Sequence, residues 1–207
     1  MFFVLDSSLS KHIISKLRDR ETNSREFTEN IKRIACLLVN EALKDFELKE
    51  VSIETPIAPC VTKVLKDTFT IVPILRAGLP MAEAVHWILD QSKIGHIGLY
   101  RDPETVKPIE YYLKMPLTIE GSQVIICDPI LATGRSISKA VDLIKSKYKV
   151  ASITILSIIA SEEGIKNINT EHPEIKVYVG VVDKELNDHA YIVPGVGDAG
   201  DRIFGTK

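Results

Sequence analysis

The sequence predicts a single α/β domain with a mostly parallel sheet of about five strands and helices on both faces. Short apolar runs rich in β-branched residues alternate with amphipathic stretches, and the runs are apolar on both faces, as in a covered parallel sheet. The 207 residues are 45% hydrophobic and 26% charged, which suits one sizeable core. Since no repeat, low-complexity segment or change of composition divides the chain, the domain is expected to span residues 1–207.

The individual elements follow from the hydrophobic pattern. Apolar residues recur at steps of three or four over residues 27–46, which predicts a helix. Buried strands are predicted at residues 69–75, 96–100, 123–127, 150–160 and 176–182. A short helix near residues 163–171 must end by His172, because Pro173 disfavours helical geometry in the residue before it. Residues 101–116 combine prolines and charges with little periodicity, which predicts an extended arm or mobile loop that leaves the core.

Composition and charge exclude several classes of protein. The formal net charge of −2 provides no basic field for nucleic acid or anionic membranes. The sequence starts without the basic and apolar segments of a signal peptide, and no apolar run approaches the roughly 20 residues of a membrane span. Cys36, Cys60 and Cys127 show neither a disulfide framework nor zinc spacing. We therefore expect a cytoplasmic protein with no metal site of its own and no nucleic-acid or membrane partner.

The most informative segment runs from Val124 to Ile144. Its apolar strand residues deliver Asp128 to the carboxyl end of a central strand, where open α/β sheets bind ligands and where a carboxylate can accept hydrogen bonds from sugar hydroxyls. Residues 133–136 then lead into a predicted helix, whose first amides lack partners and whose dipole favours negative charge. Gly134 allows the main chain to approach an anion closely. The segment therefore predicts a cradle for a phosphate monoester.

An alternative for this turn is that Thr133 or Ser136 is an ordinary helix N-cap, which any strand-to-helix junction can carry. The Walker pattern of nucleotide triphosphatases, G-x-x-x-x-G-K-[ST], is absent from the segment. The sequence around the turn therefore argues against a nucleotide triphosphatase.

Four blocks of the sequence resemble a known family. The segment ICDPILATGRS at residues 126–136 resembles the signature of type I phosphoribosyltransferases, and its Asp-Pro-x-Leu-Ala-Thr-Gly form is similar to the uracil branch. VPILRAGLPM at 72–81, GLYRDPET at 98–105 and YIVPGVGDAGDRIFGTK at 191–207 agree in order and spacing. The resemblance implies the type I fold with a base-binding hood. It also implies transfer of ribose 5-phosphate from phosphoribosyl pyrophosphate (PRPP) to N1 of uracil, which gives UMP and pyrophosphate in pyrimidine salvage.

The resemblance also implies a donor site. Its residues are Asp128, Pro129, Ile130, Leu131, Ala132, Thr133, Gly134, Arg135, Ser136, Arg76, Arg101 and Asp198. Arg76 and Arg101 are expected around the pyrophosphate, since a guanidinium matches phosphate oxygens; a surface ion pair is the alternative for either. Mg²⁺ is expected as cofactor, bound mainly through PRPP. Arg101 and Asp198 are the catalytic candidates, Arg101 for the leaving pyrophosphate and Asp198 as the acid–base group at uracil N1 or as a group that orients ribose or metal.

Two positions depart from the wider family. Pro129 stands where many type I relatives carry a second acid, as is typical of the uracil branch, and this removes one handle on the ribose or its magnesium. Arg135 stands where a small residue is expected, and its cation either strengthens phosphate binding or points to solvent.

The stretch from Gly195 to Gly200 has the G-x-G-x-x-G spacing of a dinucleotide-binding loop. We expect that it cannot open a helix here, because too few residues follow it for a βαβ unit. The resemblance implies instead that residues 191–201 cover the base and that main-chain groups read the edge of uracil. The matching positions are Ile192, Gly197, Asp198 and Ala199. A flexible tail is the alternative.

Other functions remain open on these residues. One is the same chemistry on another base, such as a purine or orotate. Another is a nucleotide-sensing, RNA-binding regulator on this fold, although the 26 basic and 28 acidic residues do not favour a basic face. The resemblance further implies a homodimer or an assembly of dimers and nucleotide effectors such as GTP or CTP. His189 and Cys127 are interpreted as structural residues.

Overall fold

The computed structural model of the chain describes residues 1–101 and 108–206. The helices are α1 (Ser8–Arg18), α2 (Ser24–Leu43), α3 (Leu79–Ile88), α4 (Arg135–Lys147), α5 (Glu162–Glu171) and α6 (Ala199–Phe204). The strands are β1 (Phe2–Val4), β2 (Leu48–Glu54), β3 (Pro59–Leu65), β4 (Phe69–Leu75), β5 (Lys93–Ile94), β6 (His96–Arg101), β7 (Pro108–Lys114), β8 (Gln123–Cys127), β9 (Ile130–Leu131), β10 (Ser152–Ser161), β11 (Lys176–Asp183), β12 (Glu185–Leu186) and β13 (Ile192–Val193).

The main sheet has the strand order β1-β11-β10-β8-β4-β6-β7. Neighbours along it are parallel, apart from the antiparallel pair of β6 and β7. The predicted α/β class with a mostly parallel sheet is therefore confirmed. The sheet is wider than predicted, since β1 and β7 extend the five expected strands. β8 lies between β10 and β4, so its carboxyl end opens at the middle of the sheet.

Helices cover both faces of the sheet, as predicted. On one face α1, α2 and α3 pack through apolar side chains such as Ile14, Phe27 and Met81 against the sheet. On the other face α4 and α5 pack through Val141 and Ile168. Strands between two such layers are buried on both sides, which is why their sequences are continuous apolar runs.

Part of the predicted arm forms a strand. Residues 108–114 are β7, an edge strand that pairs antiparallel with β6 and has only exposed and half-buried side chains. Strand pairing supplies partners for main-chain groups that a loop would leave to water. Residues 102–107 of the predicted arm lie outside the described residues.

The helix boundaries show what the apolar pattern misses. α2 begins at Ser24, three residues earlier than predicted, because the Asn23 side chain accepts a hydrogen bond from Glu26 N and caps it. It ends before Phe46, which continues the apolar pattern outside the helix by packing on Phe69 with ring centroids 5.5 Å apart. α5 ends at Glu171 with His172 as its C-cap, as predicted.

The structure bears on two sequence predictions, the lack of a membrane-spanning helix and the role of Cys127. Within the described ranges, the structure has no helix that combines the length and the apolar character needed to cross a bilayer. Cys127 is fully buried in the core, as predicted, and burial raises the pKa of its thiol far above the ordinary value. A buried thiol with a raised pKa is not a nucleophile, so the chemistry of this protein lies elsewhere.

Candidate active site

A cavity of about 650 Å³ opens at the carboxyl ends of β4 and β8. Three stretches far apart in the sequence line it: residues 74–77, residues 128–137 and residues 189–200. Most of the predicted site residues meet there, namely Arg76, Asp128, Ile130, Ala132, Thr133, Gly134, Arg135, Ser136, Ile192, Gly197, Asp198 and Ala199. The structure therefore brings the predicted donor and base residues around a single space.

The turn at residues 133–136 leads directly into α4. Gly134 is the N-cap residue and has a φ of +78°, a left-handed conformation that favours glycine. Because Gly134 is the N-cap, the alternative in which Thr133 or Ser136 takes that place is wrong. The first amides of α4 lie in the wall of the cavity, since residues 135–137 line it, and the first amides of a helix have no partner within the helix. The turn can therefore bind an anion with its main chain.

The turn is held from behind by α5 and the strand before it. Ser161 Oγ donates a hydrogen bond to the carbonyl oxygen of Ala132 at 2.6 Å. The side-chain amide of Asn167 donates to the carbonyl oxygen of Thr133 at 3.0 Å. Two successive carbonyl groups thus have side-chain partners outside the cavity lining, which fixes the path of the chain into the turn.

Two predicted donor residues lie behind the cavity wall. The carbonyl oxygen of Pro129 accepts hydrogen bonds from the amides of Ile158 and Ile159, both at 3.0 Å. Leu131 is fully buried in the core between the sheet and α4. Both residues therefore support the path of the chain between Asp128 and the turn, and their neighbours Asp128 and Ile130 face the cavity.

Two of the three predicted arginines line the cavity. Arg76 follows β4 after a cis peptide bond and is exposed, with its guanidinium carbon 5.3 Å from the ring centroid of Phe204. Arg135 is exposed at the start of α4. Arg101 is the last residue of β6. Its side chain is outside the described part of the structure, so its expected contact with pyrophosphate stays a prediction. Arg76 and Arg135 thus place two cations at the rim of one cavity.

The glycine-rich stretch supplies the opposite wall. Gly197, Asp198 and Ala199 line the cavity, beside the buried Ile192. The expectation that this stretch cannot open a helix is wrong, because α6 begins at Ala199 and Asp198 caps it by accepting a hydrogen bond from Asp201 N at 2.9 Å. A helix of six residues needs little sequence, and the aspartate supplies the cap that the glycine pattern does not reveal.

Several residues at the cavity were missed by sequence reasoning. Tyr100 and Tyr111 line it with ring centroids 6.3 Å apart, and Tyr191 lines it from the glycine-rich side. His189, interpreted above as structural, is exposed and also lines the cavity. Tyr111 is on β7, which pairs with β6, and no local pattern in the sequence reveals that pairing.

The charged groups at the cavity suit an anionic substrate whose own oxygen atoms can bind a metal ion. Asp128 and Asp198 line it with two arginines. Among residues 1–101 and 108–206, no three His, Cys, Asp or Glu side chains cluster as a metal site would require. A divalent cation at this cavity would therefore have to take most of its ligands from a bound substrate and from water.

A mostly parallel sheet with a turn that can bind an anion after a central strand, and a glycine-rich loop at the same cavity, is the architecture of the type I phosphoribosyltransferase fold. The adenine phosphoribosyltransferase of Leishmania donovani has the same fold, with a TM-score of 0.58 and 16% identity over 91% of this chain and 86% of its own.

Closer similarities identify the branch. The family model for uracil phosphoribosyltransferase matches residues 4–206, and the chain belongs to this family. A uracil phosphoribosyltransferase of Caldanaerobacter subterraneus subsp. tengcongensis is 48% identical over 206 residues, which cover 99% of this chain and 98% of the relative. The AQ2163 protein from Aquifex aeolicus is 34% identical, with a TM-score of 0.93 over 100% of this chain and 99% of its own.

Proposed function

We propose that this protein transfers ribose 5-phosphate from PRPP to N1 of uracil, releasing pyrophosphate and forming UMP. The observation that carries the proposal is the single cavity in which the anion-binding turn at residues 133–137 faces the main chain of residues 197–199. One side suits a phosphate monoester and the other suits the flat, hydrogen-bonding edge of a base. Membership of the uracil phosphoribosyltransferase family supports this assignment.

The donor half binds the 5-phosphate at the start of α4. Unpaired main-chain amides and the helix dipole stabilise the phosphate, and the hydroxyls of Thr133 and Ser136 add donors. Asp128 accepts hydrogen bonds from ribose hydroxyls, as acidic residues at this place in other nucleotide-binding sheets do. Arg135 is exposed beside the turn and adds positive charge toward the phosphate.

The leaving pyrophosphate requires positive charge on the other side of the anomeric carbon. Arg76 supplies it from the rim of the cavity, and Arg101 is proposed to supply more. Mg²⁺, when bound with PRPP, neutralises part of the charge that develops on the pyrophosphate. The protein contributes positioning and charge stabilisation to a transition state with oxocarbenium character, and no covalent nucleophile takes part.

The base half reads uracil with main-chain groups of residues 191–201. Uracil presents two carbonyl acceptors around the N3–H donor, whereas cytosine reverses the pattern at C4 and N3. A site that pairs with one arrangement leaves buried groups unpaired with the other, which produces strong discrimination. Asp198 is proposed as the group that accepts the proton from N1, since its carboxylate is exposed at the cavity and is fixed by the cap hydrogen bond to Asp201 N.

A coupled assay of the purified protein tests the proposal. With PRPP and Mg²⁺, uracil is expected to give UMP and pyrophosphate, while cytosine and hypoxanthine give no product above background. Turnover of hypoxanthine in place of uracil would instead assign the protein to another base. Three further properties stay predictions. Light scattering tests a homodimer or assembly of dimers, effector titration tests GTP or CTP as effectors, and cell fractionation tests a cytoplasmic location.

A further inference from the structure

An ion pair behind the cavity connects α1 to the last residue of β11. Arg18 and Asp183 form two parallel hydrogen bonds, Nη2 to Oδ1 at 2.7 Å and Nη1 to Oδ2 at 2.8 Å. The side chain of Asp183 is only 7% exposed and that of Arg18 is 25% exposed. Neither residue is part of the cavity wall described above, so a direct contact with substrate is not their role.

The pair binds both main-chain groups of Gly195. Gly195 N donates a hydrogen bond to Asp183 Oδ2 at 3.0 Å, and Arg18 Nη1 donates to the carbonyl oxygen of Gly195 at 3.0 Å. Gly195 has a φ of +56°, and a Cβ at this position would lie 2.2 Å from the carbonyl oxygen of Ile192. The position therefore requires glycine, and hydrogen bonds to Arg18 and Asp183 hold its main chain in this conformation.

A second arginine binds the next residue. Arg202 Nη1 donates to the carbonyl oxygens of Val196 at 3.1 Å and Leu17 at 2.5 Å, and Nη2 donates to the carbonyl oxygen of Asp19 at 2.6 Å. Its guanidinium carbon lies 4.1 Å from the ring centroid of Phe27. The main chain just before Gly197 is thus attached to the end of α1 through two consecutive residues.

Stability alone does not account for the Arg18–Asp183 pair. Removing two charges from water is costly, and buried ion pairs are commonly replaced by apolar side chains of similar volume with no loss of stability. What an apolar pair cannot do is donate to one main-chain group of Gly195 and accept from the other. The distinctive contribution of the charged pair is therefore the fixed orientation of Gly195, which directly precedes Val196 and Gly197 in the cavity wall.

We propose that Arg18 and Asp183 are positioning residues that hold the main chain of residues 197–199 in the orientation that reads the base, and so set affinity and selectivity for uracil. This inference rests on the proposed function. A displacement of the loop by about 1 Å would misalign its groups with the base edge while leaving the turn at residues 133–136 in place. The loss is therefore expected mainly in the base half of the reaction, with Asp198 as the one donor-site residue on the displaced loop.

The test compares steady-state kinetics of Asp183→Asn and Arg18→Met with those of Arg20→Met as the matched control. Arg20 lies two residues beyond Arg18, is 92% exposed and pairs with Glu21. In both test variants the KM for uracil is expected to rise by roughly tenfold to a hundredfold, and discrimination against cytosine is expected to fall. The KM for PRPP is expected to change by less than about twofold. The control is expected to keep both values.

A double variant separates positioning from stability. Arg18→Met combined with Asp183→Leu replaces the pair with apolar side chains. Its unfolding midpoint is expected to fall less than that of Asp183→Asn, because no charge is left without its partner and only the main-chain groups of Gly195 lose theirs. Its KM for uracil is expected to stay raised. A double variant with normal stability and a normal KM for uracil would overturn the inference, as would equal rises of both KM values in the single variants. A wild-type protein that forms no UMP would overturn the proposed function itself and the inference with it.

Discussion

The side-chain amide of Asn167 on α5 donates a hydrogen bond to the main-chain carbonyl oxygen of Thr133, 34 residues earlier in the chain. Together with Ser161 Oγ on the carbonyl of Ala132, it fixes the turn that precedes α4. The donor half of the cavity therefore depends on α5, whereas the base half depends on the end of α1. This separation lets each half be tested by its own variants.

Replacing Asn167 with leucine is expected to weaken donor binding. The change leaves the carbonyl of Thr133 without its side-chain partner, which costs about 1–3 kcal/mol when the group is screened from water. The KM for PRPP should rise by up to roughly tenfold, and the KM for uracil should stay within about twofold. Initial-rate kinetics measure both values. Lys166→Met on the exposed side of α5 is the control, and an equal effect of the two variants would contradict the prediction.

Gly134→Ala is expected to impair the anion-binding turn. An alanine at a φ of +78° is strained, and its Cβ would lie 3.1 Å from the carbonyl oxygen of Gly164. The strain costs about 1–2 kcal/mol, and relief of it displaces the start of α4. Gly121→Ala is the matched control, because Gly121 has a φ of +71° with open space around its Cβ position. Both variants should lower the unfolding midpoint, but only Gly134→Ala should raise the KM for PRPP; unchanged donor kinetics in Gly134→Ala would count against the turn as the phosphate site.

Asp198→Asn separates a catalytic from a structural role of the carboxylate. Asparagine is as good an N-cap as aspartate, so α6 should remain folded. The unfolding free energy should change by less than about 0.5 kcal/mol. If the carboxylate accepts the N1 proton, kcat should fall by roughly a hundredfold or more. The measurement is kcat against pH for both proteins. A variant with normal turnover and a wild-type pH profile would show that the carboxylate only orients ribose or metal.

Acid is expected to lower the folding stability of the protein by protonating Asp183. Burial favours its neutral form, but hydrogen bonds from Arg18 and from Gly195 N outweigh burial and lower the pKa of Asp183 below its ordinary value. A carboxyl whose pKa is lower in the folded state stabilises the fold above its unfolded pKa of about 3.9. That stabilisation is lost as the pH falls through the folded pKa.

Thermal unfolding between pH 7 and pH 3 checks this prediction. At pH 7 the free energy of unfolding of Asp183→Asn should be roughly 3–5 kcal/mol lower than that of the wild type, because Arg18 then lacks its charged partner. Below about pH 4 the stability of the variant should fall less steeply than that of the wild type. Asp90→Asn, at an exposed position, is the control and should follow the wild-type curve. Parallel curves for wild type and Asp183→Asn would mean that Asp183 titrates alike in both states.

Local sequence was sufficient where a local cause decides the structure. β8 and Asp128 were predicted because a buried strand is a short apolar run and because open sheets bind ligands at the carboxyl ends of their strands. The end of α5 was predicted because Pro173 acts on its immediate neighbour. The turn at residues 133–136 was predicted from the strand, the glycine and the helix start that surround it, whereas the base-covering role of the glycine-rich loop came with the resemblance. The structure brings both to one cavity.

What sequence reasoning missed depends on contacts between distant segments. The apolar alternation of β7 is short and lies next to prolines and charges, and the strand forms because β6 supplies its partners. This pairing carries Tyr111 to the cavity. α6 exists because Asp198 caps it, a side-chain contact that a glycine spacing does not express. Arg18 shows no sign of a role beside the cavity until Asp183, 165 residues later, is placed against it.

The attachment of the base half to α1 has a consequence for the order of folding. The contacts that tie Arg18 to Asp183 and Arg202 to Leu17 join residues 165 and 185 positions apart, whereas those that hold the phosphate turn join residues 29 to 34 apart. Closing a longer loop costs more chain entropy, so contacts within short loops form earlier. The phosphate turn is therefore expected to mature before the loop that reads the base. Refolding is therefore expected to restore the phosphate turn before it restores selectivity between pyrimidines.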